Sequence, residues 1–215
     1  MRLFGRVLAP VERLSEILFG LIMALTVTSA VSVATADHMQ IRTMLIAALG
    51  CNLAWGIIDA GMYLMGRLGE RGHNAVVARA IRKAADREQA HRIIADELPP
   101  VFASIFRPAQ LEEIREQICQ MPPSPTHPGL AGRDWQGALG VFALVVAATF
   151  PVVIPFAIID DARLALRISN ALAVASLFLC GVLFGRHAGL HPWLTGLVMV
   201  VVGAALVATA IALGG

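Results

Sequence analysis

Five apolar stretches, each near the ~20 residues that a helix needs to cross hydrocarbon, are split two and three around a polar insert. They cover roughly residues 17–35, 44–66, 137–159, 169–185 and 193–213. In lipid a chain must satisfy its own backbone polar groups, so such segments are expected to be helical. The pattern predicts an all-α, polytopic membrane protein with five transmembrane helices and a helical cytoplasmic insert between helices 2 and 3. Composition agrees, with 57% hydrophobic and 15% charged residues. The expected layout is a lead-in at 1–16, the first two spans within 17–66, the insert at 67–136 and the last three spans within 137–215.

Charge orients this layout. Of seventeen Lys and Arg, three precede the first span (Arg2, Arg6, Arg13) and one lies in the first loop (Arg42). Ten fall between Arg67 and Arg133, two in the third loop (Arg163, Arg167) and one in the fourth (Arg186). A cytoplasmic N-terminus puts fourteen of them inside and three outside, which the positive-inside rule favours. The C-terminus then lies outside, and with no organelle signal the default address is the inner membrane of a bacterial-type cell. The net charge of +2 is too small to point to nucleic acid and is accounted for by topology. A secretory signal peptide is the competing reading of the N-terminus. Glu12, Arg13 and Glu16 interrupt the region where its apolar core would lie, and no small-residue cleavage site precedes the first span. Residues 1–16 are read as an amphipathic lead-in helix. Cys51, Cys119 and Cys180 form no CxxC pair, so neither a disulfide framework nor a zinc site is indicated.

Within the insert, Val77, Ile81, Ala84, Glu88, His91, Ala95 and Leu98 recur at steps of four and three, which predicts one continuous helix with all seven on one face. Pro99 and Pro100 stop it. A second helix is expected at about 109–120, with Leu111, Ile114 and Ile118 on one side and Glu112, Glu113 and Glu116 on the other. Met121 to Gly132, with four prolines, reads as a connector leading to Trp135 at the membrane interface.

Glu88 and His91 form an ExxH pair, the i, i+3 spacing by which one helical turn points two ligands at one ion. Glu113 and Glu116 repeat the spacing with carboxylates, which suit Fe²⁺, Mn²⁺ or Ca²⁺, whereas the imidazole of His91 shifts preference toward Fe, Zn or Ni. The alternative is that Glu88 and His91 pair with Arg or Lys of a neighbouring helix and that Glu112, Glu113 and Glu116 form a solvated face.

In the second span Asp59 lies about 10 Å from the cytoplasmic boundary near Gly66 by helical rise, where a carboxylate is costly unless it has a partner or a pathway role. Asn52, Gly56, Asp59, Met62 and Tyr63 share its face. The first span carries Met23, Thr26, Thr28, Ser29, Ser32 and Thr35, and the two spans together would line a route for a partly dehydrated cation. The alternative is a hydrogen bond from Asp59 to a Thr or Ser of the first span.

The five-span plan with its helical insert resembles the vacuolar iron transporter family. So do Glu16 to Gly20 entering the first span, Gly61 to Leu64 ending the second, Pro151 to Pro155 in the third, and Gly181 to Arg186 ending the fourth. The resemblance implies proton-exchange export of Fe²⁺ or Mn²⁺ from the cytosol, a homodimer with its route at the shared interface, and metal-collecting glutamates in the insert. Glu88, Glu112, Glu113 and Glu116 are the plausible counterparts, with His91 as an addition. Where the family has an Asp-Gly pair in the first span, this chain has Met23 and Ala24. The family's second-span Glu and Met positions fall near Gly50 and Ile58, one residue from Asp59.

The expected function is therefore divalent-cation transport. Glu88, His91 and the 112–116 glutamates collect metal, and Asp59, Met62, Met23, Asn52 and Tyr63 line the route. A cation binding at Asp59 would displace its proton and couple the two movements. No permanently bound cofactor is expected; membrane lipid, a second copy and the metal are the expected partners. A non-transporting scaffold or metal sensor is the alternative. With no HExxH or GxSxG motif, an enzyme is not expected.

Overall fold

The computed structural model describes residues 10–30, 38–100, 105–122 and 129–212. The helices fully within the described residues are, in order, α1 Pro10–Ala30, α2 His38–Lys83, α3 Arg87–Asp96, α4 Pro108–Gln120, α5 Gly132–Ile158, α6 Ala162–Ala188 and α7 Pro192–Ala212. No strand occurs among the described residues. Among the described residues three helices are long and apolar enough to cross a membrane, within Ile41–Lys83, Gly132–Ile158 and Arg163–Ala188; Leu14–Leu25 and Pro192–Leu206 are shorter apolar helices. The chain divides into two compact units. One takes the residues up to Tyr63 and from Gly132 onward, the other Leu64–Ala131.

In the first unit α1 packs on α5, α6 and α7, and α7 lies along α6. The apolar centre holds Leu14, Leu21, Ala24, Leu25, Ala148, Val152, Ala173, Leu177 and Cys180. The expected lead-in is not a separate helix from Pro10 on, because α1 runs unbroken from there into the apolar run. Its Pro at the first position has no N–H to lose and a φ already suited to a helix. Gly20 brings α1 onto α5 so tightly that a Cβ there would stand 2.7 Å from the Val145 carbonyl and 2.9 Å from Ala148.

The α6 and α7 pair interlocks through glycine. A Cβ on Gly181 would meet the Gly196 Cα at 2.8 Å, one on Gly185 the Thr195 Oγ1 at 2.8 Å, and one on Gly196 the Phe178 ring at 2.8 Å. The small residues let the two backbones approach this closely, so that close-range dispersion contacts hold the pair. Asp161 starts α6 by accepting from the Arg163 and Leu164 N–H groups at 2.8 and 3.1 Å, well before the expected start near 169. At the other end Gly189, at φ 71°, takes the left-handed conformation that closes the helix. Inside α5, Pro151 and Pro155 each remove a ladder donor, and the Ser169 hydroxyl donates to the Val152 carbonyl between them at 2.7 Å.

In the second unit, the last turns of α2 pack with α3 and α4 around Ile81, Ala90, Ile94 and Leu111, with Val77, Ile93, Leu98, Phe106, Ile114 and Ile118 closing over them. The single helix expected across 77–98 is two. It breaks after Lys83, where Asp86 caps α3 by accepting from the Gln89 N–H at 2.7 Å and Gln89 returns to accept from the Ala85 N–H at 2.8 Å. The break changes the phase of the apolar stripe. Ala90 and Ile94 turn inward, and Glu88, expected on the buried face, is exposed. α4 begins and ends as expected. Its C-terminus is capped by Arg82, whose guanidinium donates to the carbonyls of Ile118, Met121 and Pro122 at 2.8–3.3 Å.

Candidate functional site

In the second unit the structure brings two of the five expected metal ligands together. His91 of α3 and Glu112 of α4 meet at 2.9 Å between Nε2 and Oε2. An ionised carboxylate only accepts, so the imidazole nitrogen is the donor. Glu112 is already engaged from its own helix: Arg115 donates through Nε to Oε2 at 3.0 Å and through its terminal nitrogen to Oε1 at 2.7 Å. Arg87 stands 3.4 Å from Oε1 on the exposed side. The Arg115 guanidinium and the His91 contact hold the Glu112 carboxyl well below its ordinary 4.5, at about 2. Both of its oxygens are thus engaged by basic side chains, an arrangement neither reading of the sequence held: the alternative to metal binding paired Glu88 and His91 with Arg or Lys and left Glu112 on a solvated face. Arg87 and Arg115 escaped sequence reading, although Arg115 follows Glu112 at the i, i+3 spacing of a helical ion pair.

Glu88, Glu113 and Glu116 are exposed and do not join this pair. Among the described residues no three His, Cys, Asp or Glu side chains form a group that could hold a metal ion. The same unit has a cleft of about 650 Å³ lined by Val77, Ile81, Ile118, Arg71, Asn74 and Glu97. Its charged groups are engaged, Arg71 with the Gly129 carbonyl and Glu97 with His73 at 2.9 Å.

In the first unit, the polar face of α2 meets α5. A Cβ on Gly56 would lie 3.1 Å from the Phe142 ring and 3.3 Å from its carbonyl, and Tyr63 closes on Gly137. The neighbour that this face meets is therefore α5, where the sequence reading placed the first span across from it. Asn52 is 1% exposed, and its amide nitrogen donates to the Ala48 carbonyl at 3.3 Å. That donation fixes the amide orientation and leaves Oδ1 buried without a protein partner among the described residues. Asp59 is half-buried, and its Oδ2 is likewise buried and unpartnered. The Trp55 Nε1 and the Thr149 Oγ1 share this condition, and Thr149 is 0% exposed. Buried polar groups are nearly always hydrogen-bonded, so several unpaired ones in apolar helices call for a physical account.

The remaining expected residues of the route diverge. Met62 is 60% exposed, although its helix position lies close to that of Trp55. Met23 is half-buried on α1. The side chains of Thr26, Thr28 and Ser29, and all of Ser32 and Thr35, lie outside the described residues, as do residues 1–9 of the lead-in. Thr149 was missed because it sits alone in an apolar run; a polar residue within a span was the available signal. His187, in the last turn of α6, donates through Nδ1 to the Leu183 carbonyl at 2.8 Å.

No protein-family model matches the chain, and no curated protein matches it.

Proposed function

We propose that this chain is a five-span membrane protein that moves a divalent cation, Fe²⁺ or Mn²⁺, past Asp59, on the plan of the vacuolar iron transporter family it resembles. The observation that supports this reading is the Asp59 carboxylate oxygen, buried and without a protein partner in a helix long and apolar enough to cross a membrane. A carboxylate in that setting is expensive, and a cation or proton that visits it offsets the expense. With the N-terminus cytoplasmic, export from the cytosol against protons is the direction proposed, with the inner membrane as its place and a homodimer as its assembly. The test is Mn²⁺ or Fe²⁺ flux in proteoliposomes under an imposed pH gradient. Asp59→Asn is expected to abolish flux while leaving folding and assembly intact.

A second reading is a non-transporting scaffold of the same plan. It is favoured by the occupied state of Glu112, whose oxygens serve Arg115, Arg87 and His91 and join two helices of the insert. Absence of flux with either metal, from a folded protein, would favour it.

A further inference from the structure

We draw no further inference here: the strongest candidate, the half-open cleft of the insert lined by Val77, Ile81 and Ile118, carries nothing, because its charged groups Arg71 and Glu97 already serve the Gly129 carbonyl and His73 and nothing in the structure shows what covers its apolar floor.

Discussion

Arg115 grips Glu112 from one turn further along α4, its Nε 3.0 Å from Oε2 and its terminal nitrogen 2.7 Å from Oε1. The fork leaves His91 and Arg87 to reach the same carboxylate from α3, so one acidic side chain ties two helices of the insert together.

This tie has a defined pH dependence. Glu112 is held at about 2 against an ordinary 4.5, so the folded insert favours its ionised form. The associated stability is fully present above about 4.5 and is lost as pH falls toward about 2. Glu112→Gln should lower the urea midpoint of the insert at neutral pH, and the gap to the native chain should close across that acid window. A fluorophore on exposed Cys119, with the other two cysteines replaced, reports the transition. A gap that stays constant with pH would show that the carboxylate charge contributes nothing.

Ile94 and Glu88 separate the observed helix phase from the expected one. Ile94 is 5% exposed in the centre of the insert, and Glu88 is exposed. Ile94→Ala is expected to destabilise the insert by about 2–5 kcal/mol through lost contacts and a cavity. Glu88→Ala is expected to stay within about 0.5 kcal/mol. The same urea titration compares them, and a large effect at Glu88 would restore the unbroken helix across 77–98.

Arg82 caps α4 with a fork that a lysine cannot reproduce, because its donors spread over the Ile118, Met121 and Pro122 carbonyls. Arg82→Lys should cost about 1–3 kcal/mol, most of the loss seen for Arg82→Ala. Hydrogen exchange should quicken first at the end of α4.

In the first unit, Gly181→Val should lower the melting temperature of the detergent-solubilised chain, since even a Cβ there meets the backbone of Gly196 and Thr195 at 2.8 Å. Gly50→Val is the matched control, because nothing lies within 4 Å of a Cβ at that position. Equal melting of the two variants would contradict the α6 and α7 packing.

Local signals carried the helical plan, and particular residues show where they stopped. Pro99 and Pro108 marked the end of α3 and the start of α4 correctly, because a proline constrains its neighbours wherever it occurs. Gly181 and Gly185 stand at the four-residue spacing of small residues that permits close packing, and the structure assigns that packing to α7 of the same chain. The break at Asp86 was present in the sequence as a capping pair with Gln89. A seven-residue stripe with fair periodicity outweighed it, and so Glu88 was expected to face inward. The pairing of His91 with Glu112 joins residues twenty-one positions apart, a relation that periodicity within one helix does not reach. The first span was expected opposite the polar face of α2 for the same reason: nothing in the run around Asp59 distinguishes α1 from α5. Thr149, buried in α5 with its hydroxyl unpartnered among the described residues, looked like an ordinary small residue in an apolar run.

The most direct measurement is the initial rate of Mn²⁺ movement in proteoliposomes under a pH gradient, for the native chain, Asp59→Asn and Met62→Ala in parallel. The Asp59 Oδ2 is buried without a partner among the described residues, and Met62 is 60% exposed. The account predicts that Asp59→Asn abolishes the flux and that Met62→Ala leaves it near native. Flux through Asp59→Asn equal to that of the native chain would contradict a cation route past this carboxylate.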